Sequence, residues 1–318
     1  MSKELRQDTN AQNLSRHHHP VRTLFMVFAF YPVFAKSLHF NHNISKVFTT
    51  RPKLVSSQIS APSSEALTSP QMSLGAWRCH GKTNQEMIDN LAKANIISSE
   101  QVKSAMSLVD RGNYSPSREG AYQDAPELIG SGQTISAPHM HAHALEQMIP
   151  TLLAKSKSQN HHLKILDVGC GSGYLTAVLG RLVDQGQRGP IHTLSKGTVF
   201  GIDIIPGLVQ LSEANIRKAD EDLLKSGTIT LSVASGWNGL PSEAPFDTIH
   251  VGAAAEKFPH KLMMQLRPDG GVMVIPVGPD GGYQQLYRVE RLRENEDFNE
   301  SDFFIRMLLG VRYVPLVH

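Results

Sequence analysis

Short apolar segments alternate with segments of helical periodicity from residue 163 to the end of the chain. Apolar β-formers bounded by turn residues are typical of strands, and apolar residues at helical spacing are typical of helices that pack against a core. Their alternation with short connections predicts an α/β fold, with a mostly parallel central sheet and helices on both of its faces. The predicted strands are 165–168, 198–205, 228–233, 248–251, 272–277, 284–291 and 303–314, and the predicted helices are 174–183, 208–224 and 257–266.

The part of the chain before residue 163 shows a helical pattern first and a polar pattern afterwards. Thr83-Asn-Gln-Glu86 has the sequence of a capping box, and Ser98-Ser-Glu-Gln101 predicts the start of a second helix. The polar residues 110–132 are interpreted as a loop region. Ser136-Ala-Pro138 combines a hydroxyl N-cap with proline in the first turn, so we expect a third helix that runs to about Lys155.

The most informative motif joins the strand at 165–168 to the helix that begins at Tyr174. It places glycines at 169, 171 and 173 directly after Asp167. A strand that enters a helix through a glycine-rich turn lets a ligand approach backbone N–H groups closely. Dinucleotide sites use the spacing G-x-G-x-x-G, whereas the spacing here is G-x-G-x-G and favours S-adenosylmethionine. The alternative is a glycine-rich turn that binds no ligand.

Two further strand ends carry polar groups that suit the same ligand. Asp203 ends the strand after the glycine loop, where an acid can accept both hydroxyls of a ribose. The alternative for Asp203 is a helix cap or an ordinary loop acid. The segment 232–237 follows the next strand, which in adenosine-binding methyltransferases supplies groups around the adenine. Asp167 either organises the loop or binds the cationic aminopropyl end of the cofactor through water.

The segment 133–141 places Ser136 at a predicted helix start. Its hydroxyl and the free backbone N–H groups there could hold a carboxylate, and the alternative is an N-cap without further function. His139, His141 and His143 are spaced two residues apart on the predicted helix and do not share one face, so we expect no metal site.

Composition limits the classes of partner. The formal charge of the 318 residues is +2, so no basic field argues for nucleic acid. The apolar stretch 24–35 contains Pro32 and is too short to span a bilayer. Cys79 and Cys170 are far apart, which argues against a disulfide framework and fits a reducing compartment. We expect Cys170 to serve as a small side chain in the loop.

The first 75 residues have the composition of an organelle transit peptide. They contain eight Lys or Arg and three Asp or Glu, and residues 49–73 are rich in Ser, Thr and Pro. We therefore expect residues 1–75 to be an unstructured targeting segment, for a plastid rather than a mitochondrion, and residues 76–318 to be a monomeric catalytic domain. A signal peptide is a weaker alternative. Initiation at Met72 would give a cytoplasmic or nuclear form.

Several blocks together resemble the protein-L-isoaspartate O-methyltransferase family. The similarity extends from residue 76 to about residue 316, and the Thr-Ile-Ser-Ala-Pro-His-Met block is its most specific part. The blocks are 76–78, 114–116, 133–142, 166–177, 249–255, 274–282 and 311–316.

This resemblance implies a Rossmann-like S-adenosylmethionine-dependent methyltransferase fold, with S-adenosyl-L-methionine as cofactor and no metal. It implies Ser136 as the active-site serine and the regions 250–254 and 313–316 as candidates for substrate recognition. The cofactor-binding residues implied or predicted are Thr134, Ile135, His141, Asp167, Gly169, Cys170, Gly171, Ser172, Gly173, Asp203, Ile204, Ser235 and Gly236.

The implied reaction is methyl transfer to the α-carboxyl group that is freed when Asn or Asp isomerises to L-isoaspartate in proteins and peptides. A terminal-type carboxylate is ionised at neutral pH and needs no base, so Ser136 would orient it rather than act as nucleophile or base. The methyl ester would then cyclise to a succinimide without the enzyme.

Two positions differ from the family pattern and leave alternatives open. Ser235-Gly236 stands where the family has Asp-Gly, followed by Trp237 in place of Arg. A hydroxyl is a weaker acceptor than a carboxylate. The family also continues past Pro-Leu with Thr and a polar tail, whereas this sequence ends with Val317-His318. One alternative is a catalytically weakened, methyltransferase-like binding protein. The other is a small-molecule methyltransferase, which the block 134–141 disfavours.

Overall fold

A computed structural model of the chain describes residues 78–158, 160–184 and 194–318. The predicted targeting segment 1–75 and the predicted start of the domain at Ala76 lie outside these ranges, and so does most of the polar insert 184–197. Among the described residues, no helix has the length and apolarity that crossing a membrane requires.

The described residues contain nine strands and seven α-helices. The strands are β1 (Glu127–Gly130), β2 (Gln133–Ile135), β3 (Leu163–Val168), β4 (Gly197–Asp203), β5 (Ile229–Val233), β6 (Thr248–Val251), β7 (Gly271–Val277), β8 (Gln284–Arg291) and β9 (Phe303–Val311). The helices are α1 (Asn84–Lys93), α2 (Glu100–Leu108), α3 (Pro138–Ser156), α4 (Tyr174–Val183), α5 (Pro206–Ala219), α6 (Glu221–Lys225) and α7 (His260–Met263). A 3₁₀ turn covers Arg111–Asn113.

Seven strands form the central sheet in the order β5-β4-β3-β6-β7-β8-β9, and β1 and β2 form a separate antiparallel pair. The pairs from β5 to β7 are parallel, and β8 and β9 extend the sheet in antiparallel fashion. The predicted mostly parallel sheet is therefore confirmed. The strand order reverses between β3 and β6, and ligands of such sheets bind outside the carboxyl ends of the strands at this point.

Both faces of the sheet are covered, because buried side chains of β3 alternate between two apolar clusters. Leu163 and Ile165 pack in one cluster with residues of α1 to α4 such as Leu145. Leu166 packs in the other, which contains Leu262 of α7. A strand buried on both sides needs apolar residues at consecutive positions, which is the pattern in the sequence.

Several predicted elements are confirmed, and four differ from the prediction. Helix 174–183 and strands 248–251 and 284–291 have the predicted bounds. The region 110–132 is not all loop, since it contains β1 and the 3₁₀ turn. Helix 208–224 is two helices that separate at Asp220.

The break at Asp220 has an electrostatic reason. Its carboxylate accepts hydrogen bonds from Arg181 Nη2 at 2.5 Å, Arg181 Nε at 3.0 Å and Tyr114 Oη at 2.5 Å. Arg181 and Asp220 are almost completely buried. Removing one partner of a buried ion pair is strongly destabilising, so this contact overrides the helical periodicity of the segment.

The predicted helix 257–266 is reduced to the single turn of α7 because its second half pairs with Phe246, which lies two residues before β6. Phe246 donates its N–H to Gln265 O at 2.8 Å and accepts the N–H of Arg267 at 2.8 Å. The extended segment predicted to reach residue 314 also ends early, since β9 ends at Val311.

Candidate active site

A cleft opens at the carboxyl ends of the strands where the strand order reverses. Most of its lining comes from the glycine loop, the end of β4, the turns after β5 and β6, and the last residues of the chain. The lining residues are Gln133, Thr134, Val168, Gly169, Gly171, Ile202, Asp203, Ile204, Ile205, Leu208, Ala234, Gly236, Gly252, Ala253, Val314, Pro315, Leu316 and Val317.

The glycine loop is held by main-chain geometry that favours glycine. Gly171 and Gly173 have φ of 54° and 86°, a region that residues with a Cβ adopt at a cost. A Cβ on Gly173 would lie 3.1 Å from the backbone Cα of Ser212 in α5. Ile202 O accepts the N–H groups of Gly169 and Cys170 at 2.8 and 3.0 Å, which ties the loop to β4. The loop therefore approaches a ligand with backbone rather than side chains.

Asp203 lies at the end of β4 and lines the cleft, as the ribose prediction requires. Its Oδ2 accepts the N–H of Gly171 at 3.2 Å, and its Oδ1 accepts the N–H of Ile205 at 3.0 Å. Burial raises the pKa of this carboxyl, while backbone hydrogen bonds act in the opposite direction. Asp203 thus joins the two turns that meet at the cleft and keeps lone pairs for a further donor.

Asp167 lies beneath the loop and does not line the cleft. It is 1% exposed, and its two carboxylate oxygens pair with Thr176 Oγ1 at 2.5 Å and His250 Nδ1 at 2.8 Å. Of the two interpretations of Asp167, this arrangement favours the loop-organising one.

Cys170 and Ser172 are buried in the loop. Burial raises the pKa of the Cys170 thiol, so the thiolate that a nucleophile requires is disfavoured. Ser172 contacts α5 through its carbonyl oxygen, which accepts from Asn215 Nδ2 at 2.9 Å. Neither side chain is part of the cleft lining, and both fit a role in packing the loop.

Ser136 is not the N-cap of α3, which corrects the expectation from the sequence. The N-cap is Ala137, it makes no side-chain capping bond, and Pro138 is the first helical residue. The side chain of Ser136 is instead hydrogen-bonded to Tyr313, whose pKa is raised by burial. The hydroxyl is therefore directed toward the residues next to the cleft rather than toward the backbone of its own helix.

Thr134 and Ile135 lie on β2. Thr134 lines the cleft. Ile135 is buried in the apolar cluster that also contains Leu145 of α3. Thr134 is thus in a position to touch a ligand, and Ile135 anchors the strand that presents it.

The last residues of the chain form the wall of the cleft opposite the loop. Ala254 donates to Val314 O at 2.8 Å and accepts from Leu316 N at 2.8 Å. Gln284 Oε1 accepts the N–H of Tyr313 at 2.7 Å, and its Nε2 donates to Tyr313 O at 3.2 Å. These bonds fix Tyr313 beside Ser136.

Gly236 and Trp237 attach this wall to the end of β5. A Cβ on Gly236 would lie 2.6 Å from Val168 Cγ1 and 2.7 Å from Leu316 Cδ1, so a larger residue would displace both side chains. Trp237 Nε1 donates to Leu316 O at 2.9 Å, and its ring stacks on His318 with centroids 4.7 Å apart. Ser235 is half-buried and adjoins the lining residues without being one of them.

His141 is buried on α3, beside the Tyr174 ring at 5.2 Å. Its Nδ1 lies 3.5 Å from Arg111 Nη1. Within the described ranges, no group of His, Cys, Asp and Glu side chains is arranged to hold a metal ion.

A family model described as protein-L-isoaspartate(D-aspartate) O-methyltransferase matches residues 82–318. The chain belongs to this family. A protein-L-isoaspartate O-methyltransferase of Caenorhabditis elegans is 41% identical over 217 residues, which are 68% of this chain and 88% of the relative. Protein-L-isoaspartate O-methyltransferase 1 of Arabidopsis thaliana is 40% identical over 234 residues, which are 73% of this chain and 90% of the relative.

The structure is similar to a crystal structure described as a protein-L-isoaspartate O-methyltransferase from Plasmodium falciparum in complex with S-adenosyl-L-homocysteine. The TM-score is 0.61 at 31% identity, with 74% of this chain and 98% of that chain covered. The family, the methyltransferase fold and S-adenosyl-L-methionine as cofactor, all predicted from the sequence, are thereby confirmed.

The structure brings some of the predicted site residues to the cleft and places others behind it. Sequence reasoning missed the roles of Arg111, Gln284 and Trp237, because their partners lie far away along the chain and no local pattern marks them. The predicted residues that line the cleft are Thr134, Gly169, Gly171, Asp203, Ile204 and Gly236. Those outside the lining are Ile135, Ser136, His141, Asp167, Cys170, Ser172, Gly173 and Ser235.

Proposed function

We propose that the chain methylates the free α-carboxylate of L-isoaspartyl residues in damaged proteins and peptides, with S-adenosyl-L-methionine as donor. The observation that carries this proposal is the pairing of Ser136 with Tyr313. It places two hydroxyls beside a cleft that their chain neighbours Thr134 and Val314 line. Such a pair leaves one O–H free to donate, and a carboxylate, which only accepts, suits it.

The residues of the cleft fit the cofactor. The Asp203 carboxylate suits ribose hydroxyls, and the loop backbone permits a close approach. Val168, Ile202 and Ala234 provide apolar surface for a planar base. When bound, the cofactor supplies a methyl group already activated by a positively charged sulfur.

The side chains therefore need to position the substrate rather than activate it. The substrate carboxylate is ionised at neutral pH, since its ordinary pKa is near 3.5. Burial raises the pKa of Tyr313, so its phenol stays protonated. One O–H of the two hydroxyls is engaged in the Ser136–Tyr313 pair, and the other can orient a carboxylate oxygen without removing a proton. The C-terminal residues 314–317 add apolar surface to the lining of the cleft.

The substitution Ser136→Ala tests this role. Loss of one hydrogen bond to a charged group is worth about 1.5–3 kcal/mol, so we expect kcat on an isoaspartyl peptide to fall roughly ten- to hundredfold. Cofactor affinity, measured by calorimetry, should stay within about twofold. Ser136→Thr keeps the hydroxyl and is the matched control. Full activity of Ser136→Ala would refute the orienting role. The same assay separates this function from the weakened and small-molecule alternatives, because neither predicts methyl incorporation into the peptide.

We further propose that residues 1–75 direct the chain to an organelle and that the catalytic domain acts as a monomer. The basic, acid-poor composition of this segment supports targeting. A fusion of residues 1–75 to a fluorescent reporter tests it, and a diffuse cytosolic signal would contradict it. Sedimentation of the purified chain tests the monomer.

A further inference from the structure

Three buried histidines surround the region beneath the glycine loop, and their Nδ1 atoms have partners of opposite chemistry. Two of these nitrogens face carboxylates, and the third faces a guanidinium. The Nδ1 pairs are His139 with Asp124 Oδ1 at 2.6 Å, His250 with Asp167 Oδ1 at 2.8 Å and His141 with Arg111 Nη1 at 3.5 Å.

The partner decides which nitrogen of a neutral imidazole carries the proton. An ionised carboxylate only accepts, so it places the proton on Nδ1 of His139 and His250. A guanidinium only donates and is not deprotonated in proteins, so Nδ1 of His141 must accept. The proton of neutral His141 is then on Nε2. Nδ1 thus carries a proton in His139 and His250 and accepts one in His141, and Arg111 is the reason for the difference.

The surroundings of His141 keep its ring neutral. His141 is 6% exposed, and the charged or titratable groups that face it are Arg111, His139 and His250, with the Tyr174 ring against it. Burial and the neighbouring guanidinium lower the pKa of His141 well below its ordinary value. At neutral pH the ring therefore has one N–H, and the Arg111 contact determines its place.

Arg111 is itself held rigidly. It is 0% exposed, its Nε donates to Ala121 O at 2.9 Å, and its backbone N–H donates to Asn84 Oδ1 at 3.3 Å. Burial lowers its pKa to about 10, so it remains charged at neutral pH. Its Cζ lies 5.3 Å from the centroid of the Tyr174 ring. The Nη2 atom of Arg111 has no hydrogen-bond partner among the described residues. Burying a guanidinium that is not fully hydrogen-bonded is unfavourable, so its presence here calls for an explanation.

We propose that Arg111 is a positioning residue that fixes His141 in the Nε2–H tautomer, so that His141 presents a preformed N–H donor to a ligand of the site. This inference rests on the proposed function in one respect, because the family resemblance of the segment 133–142, and not the cleft lining, assigns His141 to the cofactor and substrate site. None of the hydrogen bonds between described residues uses Nε2 of His141. A fixed Nε2–H suits a carboxylate or carbonyl oxygen of a ligand and disfavours a group that can only donate.

The tautomer can be measured on the cofactor-free full chain. Long-range ¹H–¹⁵N spectra of protein with ¹⁵N-labelled histidine distinguish the two neutral tautomers, and the variant His141→Gln identifies the signals of His141. We expect the Nε2–H tautomer for His141 between about pH 6 and 8, without titration in that range. His139 and His250, whose Nδ1 atoms face carboxylates, serve as internal controls that should carry a proton on Nδ1. A His141 signal in the Nδ1–H form would overturn the proposal.

Removal of Arg111 should release the ring. In Arg111→Met we expect a mixture of tautomers and a rise in the pKa of His141, because one of the groups that lower it, after burial, is gone. Arg291→Met is the matched control, since Arg291 is also buried but donates to carbonyl oxygens of residues 264 and 266. If Arg111→Met does not fold, Arg111→Gln replaces the donor-only cation with a neutral amide that can donate or accept. An unchanged single tautomer in either variant would contradict the proposal.

A double-variant cycle separates positioning from a general structural effect. Arg111→Met should weaken S-adenosyl-L-homocysteine binding about tenfold, the worth of one oriented hydrogen bond. In the His141→Gln background, where no tautomer exists, the same change should have little further effect. Additive losses would show that Arg111 does not act through His141. If the spectra give the expected tautomer and no methyl transfer to the isoaspartyl peptide occurs, the proposed function fails and the tautomer assignment stands.

Discussion

The two walls of the cleft are built on different principles. The loop wall, Gly169–Gly173 with Asp203, joins the ends of two adjacent parallel strands through main-chain hydrogen bonds. The C-terminal wall, Ser235–Trp237 with residues 313–318, joins segments 79 residues apart through the Trp237–Leu316 bond. Gln284 and Ala254 add further bonds from two more segments.

The two walls therefore differ in how closely they follow the family pattern. Glycine conformations and one carboxylate fix the loop wall, so few substitutions are tolerated there. The C-terminal wall depends on a stacked aromatic ring and on side-chain amide bonds, and it contains the two positions, Ser235 and Trp237, that differ from the family pattern. We therefore expect the loop wall to set the bulk of cofactor affinity and the C-terminal wall to adjust it.

The largest effect is expected for Asp203→Ala on the loop wall. The change removes a charged acceptor for ligand hydroxyls, and two hydrogen bonds to a charged group are worth about 3–6 kcal/mol. Calorimetry should show a loss of cofactor affinity of about a hundredfold or more. Asp203→Asn keeps an acceptor oxygen and is the control. Asp203→Ala also removes the acceptor of the Gly171 and Ile205 N–H groups. The thermal unfolding temperature of the ligand-free protein measures this separate effect on stability. Unchanged affinity would remove Asp203 from the ribose site.

The next largest effect is expected in the pH dependence of cofactor affinity, which the Asp203 carboxylate of the loop wall should control. The folded-state pKa of Asp203 is raised by burial, and ribose hydroxyls bind its ionised form. Cofactor affinity should thus fall as the pH drops through a value above the ordinary pKa of aspartate. In the ligand-free protein the sign is opposite, because a raised pKa adds stability below the unfolded-state pKa that is lost as pH rises through the folded-state value. Calorimetry from pH 4.5 to 7.5 tests this, and Asp203→Asn should remove the dependence.

A smaller effect is expected for Trp237→Ala on the C-terminal wall. The change removes one neutral hydrogen bond and one ring stack, together worth about 1.5 kcal/mol, so cofactor affinity should fall about tenfold, mainly through faster dissociation. Trp237→Phe keeps the stack on His318 and should lose only about threefold. Stopped-flow dissociation rates check both values. Wild-type dissociation rates in Trp237→Ala would show that the C-terminal wall keeps its position without the indole contacts to Leu316 and His318.

The smallest effect, and the only gain, is expected for Ser235→Asp. A carboxylate is a stronger acceptor than a hydroxyl, and position 235 adjoins the lining residues Ala234 and Gly236. Cofactor binding should tighten by a few-fold in calorimetry, and Ser235→Asn controls for size without charge. A loss of affinity in Ser235→Asp would mean that Trp237 and its surroundings accommodate only serine.

The sequence predicted those parts of the fold that local patterns specify. Helix 174–183 and strand 248–251 have their predicted bounds because an apolar pattern and a turn residue mark each end. Helix 208–224 was predicted as one element, and the fold divides it at Asp220 to pair that acid with Arg181. Ser136 has the sequence of an N-cap, and only the position of Tyr313 shows that its hydroxyl serves another purpose.

By itself the sequence determined the loop wall, since the glycine spacing and the acid at the end of β4 depend only on local backbone conformation and strand order. The tertiary structure alone decided the C-terminal wall and the Arg111–His141 pair, whose members are 30 residues apart. The physical reason is that a glycine or a strand end is specified by its neighbours in the chain. A buried hydrogen bond between distant side chains is specified only when packing brings both partners out of water together.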